Sequence, residues 1–381
     1  MKAYSSEIQN YINANLKADL HSLLLKKSPF EGVTMQELVQ QIRGRRVAEK
    51  KFPFLLKEGI RYPVGLSLEQ SSSETTARYK AQLMQGDRLA DLTSGFGIDA
   101  HFLSENFRET TLVEQNRELL DIVRHNWGIL NKRAAFVCQT SEDFLAQNNT
   151  RFDWIYMDPA RRDHQKNKVF LLEDLSPNIL RLMPDLRKSA DKIMIKLSPL
   201  IDISYLALVL ENISAIHIVA VKNDVKEILV LIDHLTQKKD PEIVCVNLET
   251  DEQAFVFNFG GEGVVQAEFS DALKYLYIPN NSLLKSGAFN LIGARFGLKK
   301  LHPNTHLYTS DIFVEGFPGR VLRIENMDAK SISKNAQFNI ISKNHPLKPE
   351  EIKKKYRLKD GGERYLIFTQ DRSGKVVLQS L

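Results

Sequence analysis

Asp91-Leu92-Thr93-Ser94-Gly95-Phe96-Gly97-Ile98-Asp99 has the make-up of a ligand-binding turn. A strand-like apolar run precedes it and a helical pattern follows. Gly95 and Gly97 let the chain turn sharply and let a ligand approach the backbone. A helix N-terminus behind such a turn favours an anionic group such as a carboxylate. Asp91, at the strand end, is placed to accept from an ammonium. Glu114 closes the next strand-like run about 20 residues on, where an acid can hold both hydroxyls of a ribose. Dinucleotide enzymes share both features, and surface or capping acids also occupy such positions. The third run leads into Gln139-Thr140-Ser141-Glu142-Asp143-Phe144, a composition that a helix N-cap also explains. The fourth ends in Asp158-Pro159-Ala160-Arg161-Arg162-Asp163. Its arginines suit bidentate binding of a phosphate or carboxylate, or pairing with Asp163 or Glu173.

These loops need elements to hold them. The first 80 or so residues read as helical, with a capping-box spacing at Thr34–Glu37 ahead of Val39, Ile42 and Val47. Arg43, Arg45, Arg46, Lys50 and Lys51 form either a phosphate-contacting stretch or a solvated helix face. From Asp87 the pattern changes to strands at 88–92, 111–114, 136–139, 154–157, 192–197, 215–221 and 227–232, most of them separated by helices. That alternation predicts a parallel sheet covered on both faces. The short connector Lys222–Lys226 instead suits an antiparallel hairpin. Beyond 240, paired strands are expected at 242–248 and 254–259, a helix over 283–296, and strands at 320–325, 337–342, 365–370 and 375–379. A further helix over 349–359 is expected to stop at Gly361-Gly362.

Bulk properties narrow the classes. Hydrophobic content is 43% and charged content 26%, an ordinary globular balance. No apolar run suits a membrane span and no leader-like stretch opens the chain, so a cytoplasmic location is expected. Cys138 and Cys245 stand far apart and the nine histidines lack metal-ligand spacing, so no metal site is expected. Residues 299–381 carry 16 Lys+Arg against 9 Asp+Glu, leaving 36 against 38 elsewhere. A basic C-terminal module suits a polyanionic partner, and equally a lysine-rich solvated surface.

The turn DLTSGFGID departs from G-x-G-x-x-G and resembles that of class I methyltransferases. Asp158-Pro159 resembles the Asp/Asn-Pro-Pro-aromatic motif of amino-methyltransferases, with Ala160 in place of the second proline and Arg161 of the aromatic. Several further stretches match together. They are Lys51-Phe52-Pro53, Leu68–Ala77 with Lys80, Val113-Glu114-Gln115-Asn116, Lys168-Val169-Phe170, Ile195–Pro199 with Asp202, and Asn223–Glu227. Over most of 30–235 the chain resembles bacterial class I methyltransferases that carry a C-terminal THUMP-like domain.

The resemblance implies an α/β fold: a Rossmann-like sheet of five parallel strands plus an antiparallel pair. It implies a helical domain at 1–80, the methyltransferase domain at 81–275, a small ferredoxin-like segment at 276–319 and a THUMP-like α+β domain at 320–381. The cofactor implied is S-adenosylmethionine, held by Asp91, Thr93, Gly95, Gly97 and Asp99, by Glu114 and Gln115 at the ribose, and by Ser141, Glu142 and Asp143 at the adenine. Gln70, Ser72 and Lys80 would cover its methionine end. Asp158, Pro159 and Arg161 are the implied catalytic residues, and Arg162, Lys196, Ser198 and Asp202 would face the acceptor. Lys226 and Glu227 are expected to form a structural ion pair. The function expected first is methylation of a base nitrogen in RNA, tRNA or rRNA, with tRNA as partner of the basic module. The alternatives are a small-molecule or protein methyltransferase gripping an acidic substrate through Arg161 and Arg162, and a non-catalytic protein binding cofactor and RNA.

Overall fold

A computed structural model describes residues 4–63, 68, 71–161, 171–236 and 239–381, with only the backbone of Arg161. Gln70, Arg162, the side chain of Arg161 and the stretch Lys168–Phe170, all nominated by the sequence, lie outside the described residues. The chain forms two compact units, Met1–Ser214 with Leu229–Lys239, and Ala215–Ile228 with Asp240–Leu381.

The first unit opens with helices α1 (Ser6–Ala14), α2 (Leu20–Leu24) and α3 (Met35–Lys51). Ile8, Ile12, Leu23, Met35, Leu38, Val39 and Ile42 form their common core. α3 starts where the sequence places it: Thr34 accepts from Glu37 N, and Glu37 reaches back to Thr34 N at 2.7 Å. Arg43 and Lys50 of α3 are exposed, as a solvated face requires, but the other three basic residues are engaged internally. Arg46 Nε donates to Leu16 O at 2.7 Å, Arg45 to Leu56 O at 3.3 Å and Lys51 Nζ to Ser71 O at 2.7 Å. These three cations tie the helix to its connecting segments, a role that neither sequence expectation gave them.

α4 (Glu74–Gln82) then leads into β1 (Gly86–Asp91), α5 (Ile98–Leu103), β2 (Phe107–Val113), α6 (Arg117–Ile129), β3 (Ala135–Val137), α7 (Ser141–Gln147) and β4 (Phe152–Met157). After the 162–170 stretch come α8 (Ile179–Ser189), β5 (Ala190–Leu197), α9 (Ile203–Val209), β6 (Ile213–Val221) and β7 (Asp224–Asp233). The strand order in this unit is β3-β2-β1-β4-β5-β7, and β3, β2, β1, β4 and β5 run parallel. Ser214 donates to Leu231 O at 3.1 Å, setting the start of β6 beside β7. Parallel strands covered on both faces must be apolar throughout; Ile155–Met157 and Ile193–Ile195 are buried accordingly. The β6–β7 connection is tighter than expected. Lys222 and Asn223 take φ of 48° and 67°, the left-handed pair that a two-residue hairpin turn requires. Lys226 pairs with Asp224, not with Glu227, which is buried on β7.

In the second unit β8 (Glu242–Leu248) lies parallel to β6, and β9 (Phe255–Asn258) is antiparallel to β8. Then follow β10 (Tyr275–Pro279), α10 (Asn281–Ser286), α11 (Phe289–Phe296), β11 (Lys299–His302), β12 (Thr305–Ser310), β13 (Gly319–Asn326) and β14 (Gln337–Ser342). α12 (Pro349–Tyr356), β15 (Lys359–Asp371) and β16 (Gly374–Ser380) complete it. β10 to β16 form one seven-stranded sheet in the order β11-β12-β10-β13-β16-β15-β14. The single helix expected over 283–296 is two helices, because Gly287 takes φ 77° and ends α10. The helix expected over 349–359 ends at Tyr356, capped by Arg357 in the left-handed region. Gly361 and Gly362, read as its stop, lie inside β15 at positive φ, where the ladder with β14 shifts register. Among the described residues no helix is long and apolar enough to cross a membrane.

Candidate active site

In an open α/β sheet ligands collect at the carboxyl ends of the strands. Here a cleft of about 570 Å³ lies there, lined by the ends of β1, β2, β4 and β5 and the loops that follow them.

The β1–α5 loop is its floor. Asp91 is buried, and its Oδ1 accepts from Thr93 N at 3.0 Å. Burial pushes its carboxyl well above the ordinary range, against the Thr93 N–H, and Asp99, Asp158 and Glu114 push the same way. Gly95 and Gly97 take φ of 51° and 76°. A Cβ on Gly97 would sit 3.1 Å from Val123 Cγ1 and 3.2 Å from Trp127 Nε1, so the loop rests directly on α6. Glu114 is fixed by two backbone donors, Gly95 N at 3.2 Å and Asn116 N at 2.8 Å. Ser141 Oγ donates to Leu92 O at 2.7 Å and brings the start of α7 to the rim.

The acceptor side is built around Asp158 at the end of β4. Its N–H donates to Thr93 Oγ1 at 2.6 Å, so the first and fourth loops are directly joined. Lys196 Nζ donates to Asp158 Oδ2 at 2.7 Å. Beyond it, Ala160–Arg161 pairs with Leu175–Ser176 in a two-residue antiparallel ladder, which sets Ser176 and Pro177 on the cleft wall.

Behind the floor lies a polar cluster. Asp99 Oδ2 accepts from Ser72 Oγ at 2.9 Å and Tyr156 OH at 2.7 Å. Lys80 Nζ, fully buried, stands 3.2 Å from Asp99 Oδ1 and donates to Ser72 Oγ at 3.3 Å. Burial raises the Asp99 carboxyl, but Lys80 first, then Lys196, Tyr156 and Ser72 outweigh it and hold the pKa below its ordinary value.

Most sequence-nominated residues meet here. Asp91, Thr93, Gly95, Gly97, Asp99, Glu114, Gln115, Ser141, Glu142, Ser72, Asp158 and Lys196 all line the cleft. Four do not. Lys80 sits behind Asp99. Asp143 is drawn into the N-cap of α7, its carboxylate accepting from Thr140 Oγ1 at 2.8 Å. Asp202 caps α9 through Tyr205 N at 3.0 Å, and Ser198 accepts from Leu200 N at 3.3 Å. Pro159 is buried beside the cleft without lining it. Sequence reasoning passed over Ser94, Tyr156, Ser176 and Pro177. Ser94 stood within the glycine turn itself, and Tyr156 left a signal of its own: it stands two residues before Asp158, hence on the same face of the strand.

A cationic amino-acid-bearing ligand fits this cleft. Among the described lining residues five carboxylates (Asp91, Asp99, Glu114, Glu142 and Asp158) stand against Lys196. Ser94 Oγ, in the glycine turn, is buried without a hydrogen-bond partner, an orphan a bound ligand would satisfy.

Comparison with known proteins agrees with this architecture. Residues 275–318 match a family of ferredoxin-like domains, and 319–379 a THUMP-like domain. A crystal structure from Porphyromonas gingivalis W83, described as a candidate methyltransferase, is 29% identical. It superposes with TM-score 0.87 over 99% of this chain and 98% of its own. An uncharacterised RNA methyltransferase of Mycoplasma mobile is 29% identical over 149 residues, 38% of this chain. That match spans 41% of the relative's length. The fold and the matches define one class: a class I methyltransferase sheet followed by ferredoxin-like and THUMP-like segments. The resemblance read from the sequence holds at this level.

Proposed function

We propose that the chain is an S-adenosylmethionine-dependent methyltransferase acting on a base nitrogen of RNA. The observation that carries the reading is the Asp158 N–H to Thr93 Oγ1 bond. It joins the backbone of the loop that carries the Asp158 carboxylate to the glycine turn that would hold the donor. S-adenosylmethionine supplies a methyl group made electrophilic by its sulfonium. Glu114 would hold the ribose hydroxyls and Asp91 with the glycine turn the amino-acid end, Ser94 Oγ adding a donor. Ser141 and Glu142 are the rim residues nearest the adenine role; Asp143 has its carboxylate engaged in the cap.

Asp158 accepts from the N–H of the acceptor and aims its lone pair, so the residue works mainly by orientation. The RNA reading rests on the name of the Mycoplasma relative, the THUMP-like match and the basic balance of 299–381. tRNA is the RNA class proposed. The intact Asp158–Lys196 pair favours catalysis over a binding-only role. The test is incubation of the purified chain with labelled S-adenosylmethionine and total RNA from cells lacking the gene, followed by nucleoside mass spectrometry. Label in a methylated base is expected. Label only in protein or metabolites would refute the RNA reading. Asp158→Ala should cut transfer by about 100-fold or more while S-adenosylhomocysteine affinity is kept; an unchanged rate removes Asp158 from the mechanism.

A further inference from the structure

Lys196 leaves the carboxyl end of β5 and ends between two carboxylates. Its Nζ is 2.7 Å from Asp158 Oδ2 and 3.8 Å from Asp99 Oδ2, with its side chain 13% exposed. The two partners differ sharply. Asp99 is buried and held by Lys80, Tyr156 and Ser72. The Asp158 side chain is 40% exposed and projects from a loop.

Resting on the reading that Asp158 receives the acceptor, we infer that Lys196 is a positioning residue: it transmits the rigid Asp99 cluster to the Asp158 carboxylate and does not itself contact the acceptor. An aspartate has a broad terminal torsion, so an exposed one samples many carboxylate orientations. A charge-assisted bond to one oxygen removes that freedom and leaves the other oxygen for the acceptor N–H. A lysine on a flexible stem fixes nothing unless it is anchored itself. Asp99 is that anchor, because it sits on α5 and is clamped from α4 by Lys80 and from β4 by Tyr156.

The test compares Lys196→Met, Lys196→Arg and Asp158→Ala. Turnover is read with labelled S-adenosylmethionine and total RNA, cofactor affinity by calorimetry with S-adenosylhomocysteine, and geometry by crystallography. Lys196→Met should lower kcat about tenfold or more with the Kd of S-adenosylhomocysteine changed by no more than about twofold. Lys196→Arg should restore a large part of the loss. In crystals of Lys196→Met, Asp158 should occupy other rotamers while Asp99 and Tyr156 keep their places. A parallel fall in S-adenosylhomocysteine affinity, or a raised acceptor KM at unchanged kcat, would overturn the inference by making Lys196 a ligand contact. An Asp158 that stays in place in the Met variant would overturn it whatever the turnover. A fully active Asp158→Ala instead sinks the acceptor role of Asp158, while the crystallographic result still decides whether Lys196 fixes that carboxylate.

Discussion

Lys80 is fully buried, and Asp99 gives it an opposite charge at 3.2 Å. Removing one member of such a pair leaves the other buried and less compensated, at a cost of about 3 kcal/mol or more. Lys80→Met should therefore lower unfolding free energy by that order in urea titration; a loss below about 1 kcal/mol would mean the cluster relaxes freely. Gly97→Ala should destabilise by about 1–3 kcal/mol, since its φ of 76° is strained for any side chain and Val123 and Trp127 leave little room. The same variant should weaken S-adenosylhomocysteine binding measured by calorimetry. His101 makes stability depend on pH. Burial, then Lys132, Arg78 and Lys57, lowers its pKa from 6.5 to about 3. Below pH 6.5 the unfolded chain takes up a proton that the folded chain refuses. Stability should fall as pH drops from 6.5 towards 3, by about 1.4 kcal/mol per pH unit from this group. Asp99, with its lowered pKa, adds a loss in the same direction only as pH falls below 3.8. Urea titrations at pH 7 and pH 5 check this: His101→Phe should shrink the difference, leaving the part due to His217 and His306, whose pKa burial lowers to about 4 in the same direction. At this scale the sequence revealed residues whose chemistry is unusual for their place, such as Asp91 and Glu114 at strand ends. It hid Ser176 and Pro177, which reach the cleft through the pairing of Ala160–Arg161 with Leu175–Ser176, partners distant in sequence. Lys80 was legible as belonging to the site but not as the partner of Asp99, because α4 and α5 meet only in three dimensions.

At the scale of elements, α3 shows two preferences in conflict. Gly44 lies inside this helix, where alanine would gain about 1 kcal/mol of propensity. Its Cβ would overlap the Cβ and ring of Tyr62, which Gln41 clamps through both its backbone N–H and C=O. The clash outweighs propensity: Gly44→Ala should lower the melting temperature rather than raise it, as scanning calorimetry would show. The strands of the first sheet were legible because parallel strands covered on both faces are nearly continuous apolar runs. β10, β11 and β12 left no such trace. All three are short, β11 and β12 are mostly polar in sequence, and only the family resemblance pointed to a folded segment there. The break at Gly287 was missed because glycine inside a helical pattern is ambiguous until its φ is known.

For the whole molecule, the excess of cations in 299–381 makes RNA affinity the quantity most sensitive to salt. If the proposed RNA partner is bound through phosphate contacts, log Kd for tRNA should rise linearly with log salt, by about 0.9 per contacted phosphate on a duplex segment. A slope near zero in filter-binding titrations from 50 to 200 mM salt, a range in which such contacts weaken by about a thousandfold when six or more are made, would show that the basic surface is only solvated.

The strand order of the second sheet carries a consequence for biosynthesis. β16 is inserted between β13 and β15, and so divides a sheet whose other half, β11-β12-β10-β13, is encoded earlier. During translation β13 must therefore wait with an open edge until residues 374–380 have been made. An open strand edge is a template for unwanted pairing. The nascent chain thus carries an open edge while β14, α12 and β15 emerge, and a stall in that interval would leave a half-sheet seeking the wrong neighbour.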